Sequence, residues 1–358
     1  MNINKRYSKL KSLCIKRPTP HILTVGRHWN KQKNRNKMKN IQKIIILIIT
    51  ISFFSCNPNI YKKKSTENNN SEFQEYEIIF SDLKEHLSKE NGKLWNIQLY
   101  GPILLIDENN QIIIANEPDS SKVLSKNGKV FIGTLPKDMP ISETTINWNG
   151  KLWAMVPLTI LLSMDHNEQI SILTHELYHR IQSKVGLSNI QQKKCNHLDK
   201  LDGRIYLKLE LEALKMALRT NNKETQIKHI KNALLFRLYR QQLFSNAKES
   251  ENSLELNEGI AEYTGTILSN WDDKGLRNHY IQAIDTLYKN RTFNRSFAYR
   301  TTPIYGYYMN KRNKDWNKEI NNKTDLTEYI TKQFNVQIPS NLKEATDTIE
   351  NELSLIHI

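Results

Sequence analysis

Cysteine is nearly missing from this chain, with three in 358 residues. Beyond Cys56 only Cys195 remains, so a mature exported domain has no internal disulfide to form. Cys195 also lacks a CxxC partner, which makes it an expected buried or incidental thiol rather than a metal ligand. Acidic residues are absent from residues 1 to 64, which hold 16 Lys+Arg; the remainder carries 36 basic against 37 acidic side chains. The formal net charge of +15 is therefore a property of the N-terminal stretch. The neutral body gives no electrostatic reason to expect nucleic-acid binding, and no aromatic-basic readout motif appears. Apolar runs stay short of the about 20 residues that a spanning helix needs, and internal repeats are missing too.

What the basic start does contain is a targeting pattern. From Met38 a charged segment (Lys39, Lys43) leads into the largely apolar run Ile44–Phe54 and then Ser55-Cys56-Asn57. A short apolar core with a small residue before Cys resembles a bacterial lipoprotein signal, which implies acylation of Cys56 and a membrane anchor. Phe53 stands where such signals usually carry Leu. Asn57, in place of the Asp that commonly retains lipoproteins in an inner membrane, favours an outer-membrane cell-envelope location. Residues 1–37 are read as an extension upstream of the true start, 38–56 as the signal peptide, and the polar 57–71 as a flexible tether. The closing Leu353-Ser354-Leu355-Ile356-His357-Ile358 matches what a transposase adaptor used in sequencing libraries would encode, so 353–358 is expected to be non-native.

The stretch that carries chemistry is His175-Glu176-Leu177-Tyr178-His179. Its frame predicts an amphipathic helix, on which residues four apart share a face, so both imidazoles can reach one metal ion. Zn2+ accepts neutral imidazole nitrogen, and the intervening Glu176 lies where a general base for a hydrolytic water is needed. Gln182 and Val185 occupy positions where a metzincin requires Gly and His, which excludes that branch. The third ligand must come from elsewhere. Glu258, 79 residues after His179, lies in Asn257-Glu258-Gly259-Ile260-Ala261-Glu262 on a second predicted helix. Glu258 and Glu262 are four apart and side by side, so one can ligate while the other receives a histidine N–H and fixes its orientation.

These two segments resemble the gluzincin metallopeptidases of the peptidase MA clan, which pair HExxH with a later helix carrying NExxx(D/E). The resemblance covers about residues 147–309. It implies one zinc ion held by His175, His179 and Glu258, with Glu176 as base and Glu262, where the best-known members carry Asp, as the orienting acid. It also implies a Tyr or His after the third ligand to stabilise the oxyanion. In Ser296–Tyr308 the spacing favours Tyr299, with Tyr305 in reserve.

Asn149-Gly150 predicts a hairpin turn before a strand that stops at Pro157. In zincins the strand preceding the HExxH helix is a sheet edge that pairs with extended peptide, and Trp153 and Met155 serve equally well as core. The expected fold is α+β and zincin-like: a small antiparallel sheet with an edge strand over the active-site helix in 72–165, then a mostly helical lobe in 166–352. The function this implies is a membrane-tethered zinc metallopeptidase acting on peptide or protein. Two rivals remain open: an inactive gluzincin-like binding lipoprotein, and a non-enzymatic accessory lipoprotein with an accidental HExxH.

Overall fold

The computed structural model describes residues 73–356. The expected upstream extension (1–37), signal peptide with Cys56 (38–56) and tether (57–71) lie outside the described residues, as do His357 and Ile358. The described residues belong to one compact unit. It is an α+β structure with a small mixed sheet and a mostly helical C-terminal region. Among the described residues no helix is long and apolar enough to cross a membrane.

Helix α1 (Gln74–Glu90) precedes β1 (Ile103–Asp107), β2 (Ile112–Ala115), β3 (Ser125–Asn127), β4 (Val130–Thr134), β5 (Thr144–Trp148) and β6 (Lys151–Pro157). The strands form one sheet in the order β3-β4-β2-β1-β6-β5. Side chains alternate across a strand, so Leu104, Ile106, Ile113, Ala115, Trp153 and Met155 gather on one face with Leu124, Leu135 and Met139.

Two expectations need correction. The sheet is not wholly antiparallel: β6 runs parallel to β1, with Ile103 opposite Ala154 and Leu105 opposite Val156. Turn residues between successive strands encode hairpin neighbours only, whereas β6 meets β1 after the chain has travelled out through β2, β3 and β4. Nor is the strand before the HExxH helix the edge. β6 is flanked on both sides, and its near-continuous apolar run Leu152–Val156 is what a strand covered on both faces looks like. The edge is its hairpin partner β5, where Thr144, Thr145 and Asn147 are polar enough to meet solvent. The turn joining them has Asn149 at φ 44° and Gly150 at φ 78°, the left-handed pair that an Asn-Gly hairpin supplies.

After the single turn α2 (Leu158–Leu161) comes α3 (His166–Ile181), which carries HExxH. Asp165 caps it by accepting from the Glu168 N–H, and the Glu168 side chain accepts in return from the Asp165 N–H, a capping box that sets the helix phase. At its other end Arg180 Nε donates to Leu152 O at 2.8 Å, tying α3 to β6. The helical region continues with α4 (Leu201–Arg219) and α5 (Lys223–Leu243), packed together and joined by a short link. Then follow α6 (Ala247–Leu254), a π turn at Glu255–Gly259, α7 (Ile260–Ile267), α8 (Asp273–Leu287), α9 (Ala298–Asn310), α10 (Leu326–Gln333) and α11 (Leu342–Ile356).

Two glycines bring the functional helices together. A Cβ on Gly265 would lie 2.4 Å from Ser171 O, so α7 and α3 approach backbone to backbone, which lays Glu262 against His175. A Cβ on Gly259 would lie 2.4 Å from Thr302 Oγ1, and the space left by its absence lets α9 carry Tyr299 to Glu258.

Candidate metal centre

Residues at i, i+4, i+7 and i+11 share one face of an unbroken α-helix. Glu251, Glu255, Glu258 and Glu262 have that spacing, but the π turn between them adds a residue to one turn and divides the face. Glu251 and Glu255 turn toward α5, whereas Glu258 and Glu262 turn toward α3.

On α3, His175 Nε2 and His179 Nε2 point at each other, 3.1 Å apart. Each ring is held by its other nitrogen. His175 Nδ1–H donates to Glu262 Oε2 at 3.0 Å, and His179 Nδ1–H donates to Gln182 Oε1 at 2.8 Å. Acceptors at both Nδ1 atoms fix the two rings so that both Nε2 atoms turn to one shared space.

Two carboxylates face this pair. His175, Glu176 and His179 form a group whose ligand atoms lie within 4.8 Å of one another and can hold a metal ion. Glu258 Oε2 comes closer, at 3.7 Å from His175 Nε2 and 3.6 Å from His179 Nε2, against 3.9 Å from Glu176 Oε1 to His175 Nε2. Ligand atoms on a tetrahedron with bonds of about 2.1 Å lie about 3.4 Å apart. The two imidazoles and Glu258 match that triangle, and two nitrogens with one carboxylate oxygen are a donor set that zinc accepts.

The electrostatics follow from crowding carboxylates around imidazoles in a poorly solvated place. Burial alone would depress His175, but Glu258 and Glu262 outweigh it and push it up to about 10. Burial opposes the charge on Glu258, yet the two histidines and Tyr299 hold it far below the usual carboxylate range. Glu262 is lowered against its own burial by His175. Glu176 goes the other way: burial raises it, and its Oε2 has no hydrogen-bond partner. A carboxylate with raised proton affinity beside the imidazole pair is the group here best prepared to take a proton.

The Tyr299 hydroxyl donates to Glu258 Oε2 at 2.6 Å, and its ring stacks on His175. Burial and the adjacent Glu258 push its pKa upward, so it stays a donor. Tyr305, the reserve donor, is elsewhere: it is fully buried and donates to Glu210. Cys195 is buried, its thiol pushed up to about 12 by that burial, and belongs to no metal group among the described residues.

A cleft of about 800 Å³ opens over these residues, with Glu143, Thr144 and Thr145 from the start of the edge strand on its wall. Several cleft residues escaped the sequence reading. Gln182 Nε2 donates to Asn257 Oδ1 at 2.9 Å, and Asn257 Nδ2 donates to Glu258 Oε1 at 3.0 Å, so His179 and Glu258 are joined by a relay through two amides. The i, i+3 spacing of His179 and Gln182 was the available signal. Gln192, Arg295 and Arg300 also line the cleft, and nothing local in the sequence marks them.

Comparison with known proteins finds no family model, no curated protein and no solved structure that matches this chain.

Proposed function

We propose that the protein is a zinc-dependent peptidase of the gluzincin kind. The observation that carries this reading is the triangle of His175 Nε2, His179 Nε2 and Glu258 Oε2, with sides of 3.1, 3.6 and 3.7 Å. His175, His179 and Glu258 would hold the ion, and Glu262 and Gln182 keep the two imidazoles oriented for it. Zinc, when bound, acidifies water and polarises a carbonyl oxygen. Glu176, whose Oε1 lies 3.9 Å from His175 Nε2, accepts the proton from the attacking water and returns it to the leaving amine. Burial, which raises its proton affinity, favours the first of these transfers. Tyr299, released from Glu258 by a small side-chain movement, donates to the developing oxyanion. Extended peptide adds to the free edge of β5, whose N–H and C=O groups supply main-chain pairing beside the metal site. The lipoprotein-like pattern ending at Cys56 supports a membrane-tethered protein of the cell envelope.

Zinc analysis together with hydrolysis of a mixed peptide library tests the reading. The full chain is expected to carry one zinc, His175→Ala to lose it, and Glu176→Gln to keep it while hydrolysis falls at least about 100-fold. Zinc retained without activity in the parent protein would leave a binding protein. A parent protein without zinc would remove the metal site altogether.

A further inference from the structure

The metal cleft does not end at Glu258. A second cavity of about 790 Å³ shares Gln192 and Arg295 with it, and a third of about 410 Å³ shares Lys194 and Asn196 with the second. The shared residues make these three spaces consecutive, and Gln192 and Arg295 stand at the boundary, both directed at Glu258 Oε1 (3.2 and 3.5 Å). The balance of charge shifts along this path. The cleft wall carries four acids, Glu143, Glu176, Glu258 and Glu262, beside Arg295 and Arg300, whereas the second cavity is lined by Lys193, Lys194, Arg291 and Arg295 and by no acid. The third adds Lys200, again without an acid.

In a body with 36 basic and 37 acidic residues beyond residue 64, such one-sided lining is a local arrangement rather than a consequence of composition. Not all of these cations are free. Lys193 pairs with Glu249, and Arg295 leans on Glu258. Lys194 and Arg291 form no ion pair among the described residues, and both are exposed. Unpaired cations lining a concave path focus positive potential there and draw negatively charged groups into it.

The geometry points to a carboxylate-binding groove continuous with the metal cleft: the preferred substrates are peptides presenting carboxylates to Lys194 and Arg291 on one side of the scissile bond. The substrate preference rests on the peptidase reading, and the groove itself does not. The carboxylates can be Asp and Glu side chains or a free C-terminus, and the experiment separates the two.

Four labelled peptides are compared: an acidic sequence and its Asn/Gln counterpart, each with a free or an amidated C-terminus. Binding is read by fluorescence anisotropy on the full chain carrying Glu176→Gln, so that cleavage does not interfere, and hydrolysis is read separately on the parent. The acidic sequence is expected to bind more tightly than its neutral counterpart. That preference falls about tenfold in Lys194→Glu/Arg291→Glu, the sum expected of two screened ion pairs. The single variants Lys194→Gln and Arg291→Gln, at exposed positions, shift it in the same direction by smaller steps. A preference that follows amidation instead of the side chains assigns the groove to the C-terminal carboxylate. Equal binding of all four peptides, or a preference untouched by every variant, overturns the groove. Charge-dependent binding without hydrolysis by the parent keeps the groove and removes the peptidase reading; hydrolysis without charge preference does the reverse.

Discussion

Glu251 and Glu255 belong to one cluster of buried charges and Glu258 and Glu262 to another, although all four follow one another along the same run of helix. The first pair faces Arg237 and Arg240 on α5, together with Glu210 on α4, all fully buried. Every carboxylate oxygen there is occupied. Arg237 grips Glu255 through both terminal nitrogens (3.1 and 2.7 Å) and Glu210 through Nε (2.7 Å). Arg240 binds Glu251 through Nε and one terminal nitrogen and reaches Glu210 with the other. Thr301, Thr302, Tyr305, His197 and Gln241 take the remaining positions. The second pair faces two imidazoles and an open cleft, where Glu176 keeps an oxygen with no partner. The same residue types thus make a closed cluster that holds the π turn in place and an open one with capacity to spare. Satisfied charges fix a structure, and unsatisfied ones beside a cleft can bind or react.

The largest expected effect comes from opening the closed cluster. Arg237→Met leaves Glu255 and Glu210 buried without their partner and should cost about 3–5 kcal/mol of stability in denaturant titration. In the open cluster Glu176→Gln removes a carboxylate that already lacks a partner on one oxygen, and stability should stay within about 1 kcal/mol of the parent. Equal losses from the two substitutions would erase the distinction.

Removing a hydroxyl from each cluster sharpens it. Tyr299 and Tyr305 lie on the same helix and each donates to a glutamate, at 2.6 and 2.9 Å. Tyr299→Phe should lower kcat/KM about 100- to 1000-fold, the usual cost of an oxyanion donor, with little change in the unfolding midpoint. Tyr305→Phe should cost about 1.5–3 kcal/mol of stability, the loss of a buried hydrogen bond to a charged group. The kinetic constants of the protein that remains folded should not move. Activity loss in Tyr305→Phe at full stability would assign the wrong tyrosine.

How much of this was legible depended on whether the signal was local. His175, Glu176 and His179 are one helical turn, so periodicity alone puts both rings on one side, and the same holds for Glu258 and Glu262. Strand positions and the Asn149-Gly150 turn were equally local. The edge strand was misplaced because apolar alternation says which face is buried, not which neighbour is missing. The closed cluster was invisible for a related reason: Arg237 and Arg240 look like the polar side of a helix until Glu210, Glu251 and Glu255 arrive from other elements. The amide relay through Gln182 and Asn257 needed two helices already in contact, and a π turn has no residue signature that could have announced it.

Orientation of the imidazoles provides a smaller contrast. Glu262→Gln keeps the size of the side chain and its oxygen acceptor but removes the charge behind His175 Nδ1–H. Zinc affinity should fall about 10- to 100-fold in a chelator competition, the range found for partners that orient metal-ligating histidines. The unfolding midpoint of the metal-free protein should shift far less than with Arg237→Met. Unchanged affinity would mean that Gln182 and the helix alone set the geometry.

Acid titration gives the smallest effect and the opposite side of the comparison. Burial opposes the charge on Glu251, but Arg240 and His197 hold it well below the ordinary carboxylate range. A group depressed in the folded state stabilises the fold above its unfolded value, and that contribution is lost as pH falls from about 4.5 toward the folded value. Glu255 has the reverse sign, because burial raises it, with Glu210 and Glu251 adding to the shift. Its protonation on acidification therefore offsets part of the stability lost through Glu251. Glu251→Gln should flatten the fall of stability below about pH 4.5 by up to one proton's worth, about 1.4 kcal/mol per pH unit. Denaturant midpoints measured between about pH 3 and 7, which brackets the ordinary carboxylate value, read this slope directly. A parallel shift of the whole curve, with no change of slope, would show that Glu251 is not titrating between the folded and unfolded states and that the cluster is held by packing rather than by its charges.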